Sequence, residues 1–203
     1  MKQYSFFLCI GLLLLSGCSH FIDWGKQTIS QGGSLSTNLT IAQNYIRSVC
    51  SYDQFTLIAN FDVLWLSAPV RDLYAAVVAR SFGKNEQQKE LLIARNKEEL
   101  KHFITFYMLC PYDIVFGSPQ SLWSVLLEID GVLYNPIEVK LVELHPLYVA
   151  IFEKRVMRFC NSYQIKFDAR TIQDLPIISE NTKEISLLFR SIDKELRVNW
   201  MMS

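Results

Sequence analysis

The chain is expected to be mainly β: an antiparallel sandwich of immunoglobulin-like proportions, with a two-helix insert after its first strand. Three observations predict this. Apolar and polar residues alternate at period two in several separate stretches, as half-buried strands require. An Asp130-Gly131 pair stands between two such stretches as a tight-turn signal. The strongest helical periodicity is confined to one block, residues 67–101. The short helical pieces keep a generic α+β layer as the alternative.

Taken in order, Ile41, Tyr45, Ile46 and Val49 have helical spacing, which predicts a short helix to about Cys50. Phe55, Leu57, Ala59, Phe61, Val63 and Trp65 then occupy odd positions, with Thr56, Asn60 and Asp62 between them. That is a strand with one apolar face. Ser67 is placed as an N-cap with Pro69 in the first turn of a helix. Its apolar stripe is Val70, Leu73, Tyr74, Val77, Val78 and Phe82, and Gly83 closes it. Asn85 opens a second helix with Gln88 in capping-box position. From Glu86 to Lys101 charged and amide side chains dominate, and Leu91, Leu92 and Leu100 are the main apolar contacts. This reads as a solvated helix over one sheet edge rather than a docking surface for a charged partner.

The remainder reads as mostly β. Phe103–Leu109 is a nearly continuous apolar run, ended by Cys110-Pro111. Residues 112–120 form a loop with Gly117 and Pro119. Trp123, Val125, Leu127 and Ile129 alternate up to Asp130-Gly131, and a returning strand places Ile137, Val139 and Leu141 opposite Glu138 and Lys140. Pro136 marks that strand as an edge. Tyr163, Ile165 and Phe167 alternate with Gln164, Lys166 and Asp168. A last pair, Ile185–Phe189 and Leu196–Trp200, is joined through residues 191–195.

The amino terminus has its own logic. Lys2 supplies a positive start, Phe6–Leu15 is an apolar run, and small residues precede a cysteine, the three regions of a secretory signal in order. The run is too short for a membrane-spanning helix, which needs about 20 residues. Leu15-Ser16-Gly17-Cys18 resembles the lipobox of bacterial lipoproteins. The resemblance implies a diacylglyceryl group on the Cys18 sulfur, cleavage before Cys18 and acylation of the new terminus. An ordinary cleaved signal would put Leu15 at −3, a poor fit to the small residue preferred there. Two or more acyl chains hold a protein stably to a bilayer where one does not. In Gram-negative lipoproteins an Asp after the cysteine commonly means retention at the inner membrane. Ser19 stands here, so the resemblance implies the outer membrane, facing the periplasm.

The expected organisation is a signal peptide over residues 1–17, a lipidated Gly/Ser/Thr-rich tether over 18–39, and a single globular β-rich domain over 40–203. The order of helix, strand ending in Trp65-Leu66-Ser67, amphipathic helix and hairpins also resembles a set of uncharacterised bacterial lipoproteins. That second resemblance implies no activity.

Charge gives no reason to expect nucleic acid as a partner. Lys and Arg total 20 and Asp and Glu total 20, and loss of Lys2 with the leader leaves one surplus negative charge. Half the residues are hydrophobic and 13% aromatic, enough for a sizeable core. Cys50, Cys110 and Cys160 remain after Cys9 leaves and Cys18 is lipidated; at most one disulfide can form, and buried hydrophobe is the favoured role.

The chain has no G-x-S-x-G, P-loop, G-x-G-x-x-G or H-E-x-x-H. His20, His102 and His145 lack a second histidine at ligand spacing, and Glu143-x-His145 alone makes no metal site. A cysteine nucleophile would pair Cys110 or Cys160 with His102 or His145. Neither arrangement is more than chance pairing. No catalytic, cofactor-binding or metal-binding residue is expected, and the single site residue is Cys18.

Two function classes follow. The favoured one is a non-catalytic envelope lipoprotein, held to the membrane through Cys18, that docks an envelope protein through sheet edges or the 112–121 loop. The alternative is a carrier or binder of a lipid or other small apolar ligand. Carriage inside the sandwich would require an aromatic-lined cavity of about 300 Å³ or more, whereas docking requires a packed core with an exposed apolar patch.

Overall fold

A computed structural model describes residues 39–156 and 160–202. Strand outweighs helix among them. The strands in chain order are β1 (Ile46–Asp53), β2 (Thr56–Trp65), β3 (Phe103–Pro111), β4 (Ser124–Ile129) and β5 (Val132–Tyr134). There follow β6 (Glu138–Leu141), β7 (Cys160–Asp168), β8 (Glu184–Arg190) and β9 (Glu195–Met201). One sheet has the order β1-β2-β3-β7-β6 and the other β5-β4-β8-β9. Every pairing is antiparallel.

The two sheets enclose one core. Phe61, Phe106, Ile165 and Phe167 reach it from the first sheet, and Leu127, Leu187, Phe189 and Trp200 from the second. The Phe61 ring lies 4.5 Å from Phe189 and 5.2 Å from Trp123, and Phe106 lies 5.3 Å from Trp200. Burial of this apolar surface is the main force holding the sheets together. On one side β1 leans onto β9. Arg47 Nε donates to the Asn199 carbonyl at 2.9 Å, and Trp200 Nε1 to the Tyr45 carbonyl at 2.8 Å.

Helices cover the outer face of the first sheet. They are α1 (Ala68–Ser81), α2 (Glu86–His102) and α3 (Pro146–Phe152). Helix α1 buries Val70, Leu73 and Val78 as its stripe predicts, while Phe82 at its end is 67% exposed. Its C-terminus closes through Gly83 with Gly83 N–H donating to Arg80 and Lys84 N–H to Ala79, a Schellman arrangement. Asn85 and Gln88 form the complete capping box of α2. No α2 side chain is buried and Leu91 is exposed, consistent with a solvated helix.

Several expectations need correction. The segment read as a helix to Cys50 has a helical turn over 39–43 and then β1, whose burial alternates along the strand. Ile46 pairs with Leu64 and Val49 with Phe61, so tertiary pairing overrides the local helical spacing. The strand read as first is therefore β2, and the two-helix insert follows it. Strand β2 is not uniformly half-buried. Phe55 before it and Leu57 near its start are exposed, while Asp62 and Leu64 on its second face are buried beneath the helical layer. Ser67 is the N-cap residue, but its hydroxyl makes no cap bond and is buried without a partner among the described residues.

The Asp130-Gly131 hairpin forms as read. Ile129 pairs with Val132 and both turn residues have positive φ, 50° and 81°. Its return strand is short. After Tyr134 the chain leaves the second sheet, and β6 pairs with β7 in the first, leaving Ile137 and Leu141 exposed. Helix α3 was not foreseen. Between β3 and β4 the loop crosses from one sheet to the other and closes the end of the core with Ile114, Phe116 and Trp123.

Candidate functional site

Cys18, its lipobox and the tether lie outside the described residues. Among those described, no helix is long and apolar enough to cross a membrane.

The cysteine and histidine pairings considered from sequence do not assemble. His102 ends α2 just before β3, and Cys110 stands near the other end of that strand, some ~25 Å away at about 3.4 Å per residue. Cys160 lies opposite Pro111, at the same end as Cys110. Burial pushes the Cys110 thiol up to about 12, with Cys160 and Asp113 adding to the shift. Its sulfur donates weakly to the Ile114 carbonyl at 3.6 Å. A thiol so held stays protonated at neutral pH, the opposite of an activated nucleophile. Cys50 is exposed on β1. No group of three or more His, Cys, Asp or Glu side chains converges among the described residues.

Two surfaces carry more chemistry. The first is an apolar end of the sandwich. Strand β2 pairs with β3 only from Asp62 to Trp65, so the β1–β2 hairpin runs on past the sheet as a two-stranded arm. At its tip Phe55 is fully exposed, with Tyr52 and Leu57 exposed beside it. The loop after β3 adds exposed Tyr112, Val115 and Leu122. Ile58 shares a hollow of about 370 Å³ with Val115 and Leu122, which places the base of the arm beside the loop. The loop is thus only half a docking element, because Ile114 and Phe116 anchor it in the core. Gly117 holds it against β6: a Cβ there would stand 2.7 Å from the Val139 carbonyl oxygen.

The second surface is a polar cleft of about 330 Å³ between the helices and the outer face of the first sheet. Arg71 of α1 forms its back wall and is 5% exposed. Its guanidinium donates to Leu66 O at 3.1 Å, to Thr105 Oγ1 at 3.1 Å and to both Glu99 oxygens at 3.0 and 3.4 Å. This forked ion pair fixes α1 and α2 on β3. Asn96 Nδ2 donates to the Arg71 carbonyl. The Tyr74 and Tyr148 rings stack 5.0 Å apart, Tyr107 meets Tyr148 at 4.8 Å, and His145 meets Tyr74 at 5.3 Å. His145 Nδ1 accepts from Leu147 N–H as the cap of α3, so the proton of a neutral ring sits on Nε2. Burial raises all three phenols above the ordinary tyrosine value, keeping them hydroxyl donors.

Glu143 and His145, whose spacing allows both on one face, both line the cleft. Arg71, Glu99, Tyr107 and Tyr148 were missed from sequence. One signal was available: Arg71 lies three residues before Tyr74 and seven before Val78, an arginine in phase with the apolar stripe. No family model matches this chain, and no curated protein matches it.

Proposed function

We propose that this protein is a lipid-anchored envelope lipoprotein of the outer membrane, facing the periplasm and bound through Cys18. Its β-sandwich serves as a non-catalytic interaction module. The lipobox supports the anchor. The apolar arm at Phe55 carries the docking role. A fully exposed Phe at a hairpin tip, flanked by Tyr52 and Leu57, has an unfavourable hydration cost that a partner removes. The tip lies one full strand from Ile46, where the chain enters the sheet, some ~27 Å at about 3.4 Å per residue. Asp53 and Asp113 beside these apolar side chains favour a protein partner with an apolar groove and basic rim. Carriage of a lipid between the sheets has no comparable support, since aromatic rings in mutual contact fill the space between them.

Site-directed photocross-linking tests this reading. A photoreactive residue at position 55 should give one discrete protein adduct in envelopes, and one at position 194 in the β8–β9 turn should not. The adduct should vanish when Cys18→Ser keeps the chain from its membrane. Identical adducts from both positions would remove the arm as the docking element.

A further inference from the structure

The cleft between the helices and the first sheet has a lining whose chemistry narrows what it can hold. Its lining is mixed. Arg71 and Glu99 neutralise one another through the forked pair, and Arg95 and Glu143 add one charge of each sign. An anionic ligand would need surplus positive charge, and a lipid would need an apolar wall; the cleft has neither. What it offers is phenol rings, amides at Asn96 and Gln164, and hydroxyls that donate and accept. Tyr107 and Gln164 face each other across β3 and β7. Tyr148 is 7% exposed and lines the cleft beside Tyr74 and Tyr107.

We propose that this cleft binds a neutral saccharide of one or two rings. Sugar hydroxyls both donate and accept, which suits a wall that mixes phenols, amides, an imidazole N–H and the carboxylates of Glu99 and Glu143. The apolar faces of a sugar ring pack against aromatic rings such as Tyr74 and Tyr107. A volume of about 330 Å³ lies at the lower end of the 300–1,000 Å³ range of small-molecule sites, which limits the ligand to one or two rings. The inference stands apart from the docking role, since cleft and arm share no residue.

Calorimetric titration of the full chain, in a detergent without a sugar headgroup, tests it. The probes are maltose, galactose and N,N′-diacetylchitobiose, with inorganic phosphate and glycine as charged comparators. At least one saccharide should bind saturably, with a dissociation constant near the millimolar range and no matching affinity for phosphate or glycine. Tyr148→Phe removes one hydroxyl and keeps the stacked ring, and should weaken that saccharide about tenfold with an unchanged thermal midpoint. If Tyr148→Phe proves unstable, Tyr74→Phe supplies the same comparison. Absence of binding by all three saccharides, equal affinity in the phenylalanine variants, or tighter binding of phosphate or glycine would overturn the proposal.

Discussion

Substituting Gly117 by Ala probes the joint that holds the β3–β4 loop across the end of the core. Two costs add. The backbone there has φ of +73°, where an L side chain costs roughly 1–2 kcal/mol. The new methyl would also stand 2.7 Å from the Val139 carbonyl oxygen, so loop and β6 must separate. Strain of that kind costs about 1–3 kcal/mol. Gly131→Ala is the internal control, because φ is +81° there but a Cβ meets nothing within 4 Å. It should show the first cost alone. The assay is urea unfolding followed by tryptophan fluorescence, with Trp123 close to the site. Gly117→Ala should unfold at a midpoint lower than Gly131→Ala by on the order of 1 M, given m-values of about 1–3 kcal/mol/M. Equal midpoints would show that the loop is not seated on β6 and would detach the apolar end from its scaffold.

Two further predictions concern the helical layer and the pH dependence of stability. Leu73→Ala, at a buried position of α1, should cost roughly 2–5 kcal/mol in urea unfolding. Lys89→Ala should cost a few tenths at most, since Lys89 makes only an exposed pair with Glu86. Asp62 is buried, and desolvation raises its pKa above the ordinary 3.8 despite a hydrogen bond from Ser48 and the Arg155 guanidinium at 3.6 Å. A raised folded-state pKa means the native state binds the proton more tightly, so this group makes stability fall as pH rises from 3.8 through the folded value. Asp62→Asn should therefore stabilise at pH 7 by an amount that shrinks as pH is lowered, read from thermal midpoints across pH. A gain that persists unchanged below 3.8 would refute the burial argument.

How far the sequence was legible follows from which forces act locally. The alternation in Tyr163–Phe167 and Leu196–Trp200 reports directly on which face is buried, and both strands form as read. Asp130-Gly131 carries its turn geometry in its own backbone preferences, so the hairpin was readable too. Ile41 to Val49 misled because its spacing fits a helix, while the strand pairing of Ile46 with Leu64 is set eighteen residues away. The switch of chain from β5 to β6 has only Pro136 as a local mark. The cleft was the least legible part. Arg71, Glu99, Tyr107 and Tyr148 come from α1, α2, β3 and α3, and only the packing of helices on the sheet brings them together. His145-Pro146 did carry a helix-start signal, with Pro at the first position and the imidazole as cap.

The lipid anchor is the claim on which the proposed envelope role depends, and metabolic labelling with a radioactive fatty acid tests it most directly. The wild-type chain should take up label and migrate as the processed form. Cys18→Ser should take up none and accumulate as unprocessed precursor. Label retained on Cys18→Ser, or a wild-type chain that is never labelled, would contradict the anchor and the envelope role built on it.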